Sequence, residues 1–241
     1  AGYCGLISVV DEHVGTVLDA ARRMGLMDDT RVIYTSDHGE AAGHHGIMGK
    51  ANHYEHALGV PLLISGSGIP RGKVVDQISS HVDLFPTIAE AVGAPLTDED
   101  ETLPGRSLWP AVTGESEARS AFAEYHAMGA RSAGFAYRKG RHKLIYHVGM
   151  PRQLFDLESD PLEEHDLLLD DASLAIADQL EAELRNFIDP EAIDDRAKAD
   201  QLAHAEKFGG VEAVAKAGVF SASPIPGKKV DLESHETAPK K

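Results

Sequence analysis

The sequence predicts an α/β fold: an open mixed sheet with covering helices, followed by a small antiparallel sheet subdomain with helices of its own. Three observations carry this. A long helical apolar period leads into a β-branched strand, "RVIYT", which ends at a loop opening "SDHG". A second strand-like run, "GVPLLISG", repeats that design, and later four short alternating runs follow one another closely. With 241 residues, 42% of them hydrophobic, the chain is long enough to bury a core in one large or two small domains.

Leu6, Val9, Val10, Val14, Val17, Leu18 and Ala21 recur at helical spacing, and Gly25 follows Arg22, Arg23 and Met24 as a C-terminal cap. This predicts a helix packed on other structure. "RVIYT" reads as a buried strand, and the second strand covers Val60 to Ile64. In open α/β sheets ligands sit at the carboxyl ends of strands, where the loop after Thr35 lies. "HVDLFPTIAEAVGAPL" predicts a helix from near Asp83, with Pro86 in its first turn, ending at Gly93. An acidic, loop-rich stretch from Thr97 precedes "SAFAEYH", "AGFAYRKG", "HKLIYHV" and "RQLFDLE", which alternate as an antiparallel sheet does. Beyond Pro161 the pattern is helical, through "SLAIADQLEAELRNFI" and "PEAIDDRAKADQLAHAEKFG", into a polar Pro/Gly-rich tail. The expected divisions are residues 1–115, 116–188 and 189–241, the last a helical extension and tail.

A formal net charge of −16 repels a phosphate backbone over most of the surface, so nucleic acid is not an expected partner. No apolar run approaches the roughly 20 residues of a membrane span, so no membrane association is expected. One cysteine, Cys4, excludes an internal disulfide framework and a cysteine-rich zinc site. A cytoplasmic location fits; a disulfide-free periplasmic one is left open. The opening "AGYCGLISVVDEHVG" has no Met and no signal-peptide layout, as expected of the C-terminal portion of a longer protein.

The chemistry concentrates between Tyr34 and His56. Adjacent Asp37 and His38 offer a hard oxygen and a nitrogen that together suit a divalent cation, although two ligands do not complete a site. Equally, an aspartate can cap a turn beside a polar histidine. Gly39, Gly43, Gly46 and Gly49 let the backbone turn near a ligand, and Lys50 follows as a point cation. A metal and a lysine converging on one tetrahedral anion would neutralise charge in a sulfate or phosphate ester. His44, His45, His53 and His56 read mainly as loop histidines, with His45 and His53 the candidates for substrate contact. Glu40 suits either a hydrogen bond to a metal ligand or solvent, and His13 suits a helix surface. "DLESDPLEEHDLLLDD" lacks EF-hand spacing and reads as a solvated turn, and Trp109 reads as a packing anchor.

"VIYTSDHGEAAGHHGIMGK", "YEHALGVPLLISGSGIPRGKVVDQISSHVDLFPTIAEAVG" and "GRSLWP", in this order, resemble the C-terminal part of the sulfatase catalytic domain, within the alkaline phosphatase superfamily. "KLI" followed by "QLFDLESDPLEE" resembles that family's C-terminal subdomain, and the flavour is nearest choline sulfatases and phosphonate monoester hydrolases. The resemblance implies an incomplete alkaline-phosphatase-like fold that hydrolyses small sulfate esters, or alternatively phosphonate or phosphate esters. A fragment acting only as an assembly or binding module is the reading from another class. It implies Asp37 and His38 as ligands of Ca2+ or, alternatively, Mn2+, and Lys50 as the catalytic, sulfate-contacting cation. The family's nucleophile is a formylglycine made in a C/S-x-P/A-x-R motif. Cys4 is followed by "GLIS" and Ser223 by "PIPG", so neither matches, and the formylglycine is expected upstream. The resemblance also implies a homo-oligomer; the stripe Phe208, Val211, Val214 and Val219 suits a subunit-facing surface or, equally, a fold-back onto the chain's own core.

Overall fold

The computed structural model describes residues 2–115, 117–127, 130–169 and 173–217. Helix α1, Gly2–Arg23, stops where the periodicity stops. Gly25 takes φ +69°, and Leu26 and Gly25 donate to the Ala21 and Arg22 carbonyls at 3.0 and 3.1 Å, a glycine-closed helix end. The expected packing of this helix is slight: none of its residues is fully buried, and Leu6 and Val17 are about two-thirds exposed. Its apolar stripe is only partly covered by the described residues, with Val14, Leu18 and Ala21 half-buried.

Strand β1, Arg31–Thr35, pairs antiparallel with β2, Leu62–Gly66, with Ile33 opposite Ile64. The second strand starts two residues later than its sequence suggests, because Pro61 has no N–H to give the ladder. Between them lies the short helix α2, Glu55–Leu58. Helix α3, Leu84–Val92, begins and ends where expected, with Pro86 buried in its first turn and Gly93 at φ +68°. Asp83, just ahead of it, is a buried hub. Its carboxylate accepts the Ser80 and Arg106 N–H groups at 2.8 and 2.9 Å and the Arg119 guanidinium at 2.7 Å. Helix α4, Trp109–Thr113, interrupts the stretch expected to be loop. Trp109 acts as an anchor: its indole N–H donates to the Thr87 carbonyl at 2.8 Å, and the Arg31 guanidinium lies 5.2 Å from the ring centre.

The four alternating runs form one antiparallel sheet in chain order: β3, Ser120–Tyr125; β4, Gly134–Lys139; β5, His142–His147; and β6, Gln153–Asp156. Phe135, Leu144 and Leu154 are fully buried beneath helix α5, Leu174–Arg185, which turns Ala177, Leu180 and Leu184 onto them at helical spacing. Asp189 caps helix α6, Pro190–Glu206, by accepting the Ala192 N–H at 3.0 Å, and α7 spans Val211–Ala217. The architecture is thus α/β with open sheets and helices, as the sequence predicts, and the described strands all pair antiparallel. Val219, Ser223 and the tail lie outside the described residues.

Candidate functional site

The loop after β1 takes its shape from its own polar groups. Glu40 Oε1 accepts the N–H groups of Ala42 and Gly49 at 3.0 and 2.6 Å, closing the loop across nine residues. These two donors hold the Glu40 carboxyl below its usual range. Glu40 therefore shapes the loop. Gly43, Gly46 and Gly49 all have positive φ, which turns the chain back toward β1.

At the head of the loop three residues expected to carry chemistry meet. His38 Nδ1 lies 2.8 Å from the Gly39 carbonyl, which can only accept, so Nδ1 carries the proton and Nε2 keeps a lone pair. Asp37 Oδ2 lies 3.3 Å from that Nε2, and Lys50 Nζ is in direct hydrogen-bond contact with it. Partial desolvation pushes the Asp37 carboxyl up. His38, the backbone N–H groups of His38 and Asp37, and Lys50 outweigh it and leave the group below its usual range. An ionised carboxylate oxygen beside an imidazole lone pair fits a divalent cation, with a carbonyl behind the ring fixing its tautomer. The Asp37 side chain is 81% exposed, so the pair opens to solvent.

His53 is placed apart from these three. Its ring is buried, T-shaped against His147 at 5.1 Å, and packed so tightly on Gly134 that a Cβ there would lie 2.5 Å from it. Burial, then the nearby His147 and Lys143, push its pKa down to about 4. His44 stacks on His56 at 3.7 Å and His45 on Tyr54 at 4.0 Å, so these rings brace the loop. Asp160, Glu164 and His165 are the one group among the described residues whose three donor atoms lie within 4.8 Å of one another. Asp160, however, already accepts the Glu164 and His165 N–H groups at 3.1 and 2.8 Å, which makes this a capped turn.

A cavity of about 440 Å³ is lined by Asp37 and His38 together with Arg138 and Lys143 from the second sheet and His81 from the segment before α3. His81 Nε2 lies 2.8 Å from the Ser36 carbonyl, directly before Asp37. These residues escaped the reading of the sequence. The one available signal was Lys143, a lysine inside the apolar run "HKLIYHV".

Residues 1–94 match the family model described as Sulfatase. The chain is 38% identical over 161 residues to the choline-sulfatase of Rhizobium meliloti (strain 1021), covering 67% of this chain and 31% of that protein. It is 34% identical over 173 residues to arylsulfatase K of Bos taurus, covering 67% and 32%. The phosphonate monoester hydrolase structure of Agrobacterium radiobacter superposes with a TM-score of 0.64 at 27% identity, covering 75% of this chain and 38% of that one. The chain spans about a third of the length of these curated relatives.

Proposed function

Because this chain carries part of a sulfatase-family domain, within the alkaline phosphatase superfamily, we propose that the protein hydrolyses small sulfate esters. Asp37 and His38 act as ligands of a divalent cation, and Lys50 faces the ester oxygens. What supports this reading is the convergence of an ionised carboxylate, an imidazole lone pair and an ammonium group at the head of one loop. A bound Ca2+ or, alternatively, Mn2+ supplies Lewis-acid polarisation and charge neutralisation. Gly39 holds the His38 proton at Nδ1, and Asp37 stays ionised. Lys50 offers a cationic donor to charge developing on an ester oxygen, a contribution of about 10²–10³ in rate for a well-placed group.

The proposal leaves substrate contact to Lys50, since His53 is enclosed. It assigns no nucleophile to these residues: Cys4 is exposed on α1 and lacks the Pro and Arg of the formylglycine motif. Assembly as a homo-oligomer belongs to the proposal too, supported by the exposure of Phe208, Val211 and Val214. The structural likeness to a phosphonate monoester hydrolase favours a second reading, phosphonate or phosphate ester hydrolysis at the same residues.

Two assays test this. The chain of 241 residues by itself should not turn over an aryl sulfate with Ca2+ or Mn2+, for want of a covalent nucleophile. Saturable, metal-dependent turnover would overturn that and direct the search to its own serines. In a complete protein containing this chain, chelator-sensitive hydrolysis of an aryl sulfate is expected, and a strong preference for an aryl phosphonate would favour the second reading.

A further inference from the structure

Lys143 of β5 is 1% exposed and is held by two carboxylates: its Nζ lies 2.5 Å from Glu163 Oε1 and 2.9 Å from Glu55 Oε1. The other Glu163 oxygen accepts the Glu55 backbone N–H at 2.5 Å. Arg138, the register partner of Lys143 across β4 and β5, approaches Glu55 Oε2 at 3.5 Å. One charge cluster, buried at Lys143 and Glu163 and open to solvent at Arg138 and Glu55, therefore joins the first residue of α2, the second sheet and the turn after β6. Glu163 sits at φ +58°, a conformation uncommon for a residue with a side chain, and is nearly fully buried.

Such a cluster is a poor device for stability alone. Well-packed apolar residues of similar volume often serve as well or better, because desolvating the charges offsets their attraction. What it does fix is position, and α2 is the element it positions. Gly39 donates its N–H to the Ala57 carbonyl of α2 at 2.8 Å, and a Cβ on Gly39 would lie 2.0 Å from the His56 carbonyl oxygen. The two backbones are thus in direct contact, and the Gly39 carbonyl faces His38 Nδ1. A second tie runs from the same turn: His45 Nε2 lies 3.0 Å from the Leu162 carbonyl, next to Glu163.

We propose that Lys143, Glu163 and Glu55 form a positioning clamp through which the second sheet, by way of α2 and Gly39, sets the ring orientation and tautomer of His38. This rests on the reading of Asp37 and His38 as cation ligands. Lys143 and Glu55 also line the cavity beside Asp37 and His38, but the role assigned to them is positional. They act through Gly39, so that the ligand pair is held ready only when the second sheet is docked.

The test is made on the full chain with Glu163→Ala and with the paired change Lys143→Met/Glu163→Gln, which removes one charge of each sign. Imidazole nitrogen NMR reads the His38 tautomer, Mn2+ titration reads cation affinity, and a thermal melt reads the fold. The wild type should show the Nδ1–H tautomer alone. In both variants a mixture should appear, with Mn2+ affinity lowered about tenfold, and Glu163→Ala should be the more affected. A folded variant whose His38 spectrum matches wild type overturns the clamp. If Glu163→Ala does not fold, the paired change decides by the same readout. Should the tautomer shift as expected while a complete protein containing this chain binds no Mn2+, the clamp stands and the cation reading of Asp37 and His38 falls.

Discussion

Asp37 and Lys50 meet at one imidazole nitrogen, His38 Nε2, and that shared contact separates their roles. A cation bound there competes with the ammonium group for the lone pair. Asp37→Ala should therefore weaken Mn2+ binding at least tenfold, whereas Lys50→Ala should leave it unchanged or strengthen it while lowering kcat in the complete enzyme by about 10²–10³. Calorimetric titration beside steady-state kinetics distinguishes them, and equal metal loss in both variants would contradict the assignment. His53 makes a different prediction, about pH. Its folded pKa of about 4 lies below the ordinary 6.5, so between those values the unfolded chain binds a proton that the folded chain refuses. Stability should then fall as pH drops through this window, by about 1.4 kcal/mol per pH unit from this group. His53→Gln should flatten the acid limb of a urea-midpoint profile between pH 6.5 and pH 4, and an unaltered slope would show that other groups set it.

Single changes can also expose how elements depend on one another. Gly39→Ala should push the loop after β1 and α2 apart, since the added methyl has no space beside the His56 carbonyl; the expected result, in a complete protein containing this chain, is lost Mn2+ binding with the second sheet intact by NMR. Leu184→Ala, in the fully buried row of α5, should cost about 2–5 kcal/mol, read from a denaturant midpoint with unchanged slope. The elements that a sequence can announce are those whose reasons are local. Helix α3 was legible from Pro86 and Gly93, α5 from its 3.6 period, and the four strands of the second sheet from their alternation. Helix α4 was not, because five residues around a proline leave no period to detect. The meeting of Asp37, His38 and Lys50 was legible because they lie within one short loop. The clamp was hidden because Glu55 meets Lys143 and Glu163 across 88 and 108 residues, and only folding makes them neighbours.

On the scale of the whole chain, cohesion is uneven. The second sheet with α5 forms the enclosed core, the region from Asp83 to Trp109 is held by a buried carboxylate and an indole, and the clamp connects the site loop to the core. No helix among the described residues is long and apolar enough to cross a membrane. Helix α1 stands outside this cohesion: 22 residues, about 33 Å of helix, with no residue fully buried. A helix with so little tertiary burial is marginal in water, because propagation hardly repays nucleation. In this chain taken alone, α1 should therefore not belong to the cooperative unit. Its amides should exchange with deuterium orders of magnitude faster than those of β4 and β5. Helical circular dichroism should begin to fade well below the calorimetric transition, and deleting residues 1–25 should leave the heat of that transition nearly unchanged. Amide protection of α1 equal to that of β4 would show the helix coupled to the core. With the coupling absent, the molecule melts in two movements, one gradual and almost without heat, the other abrupt.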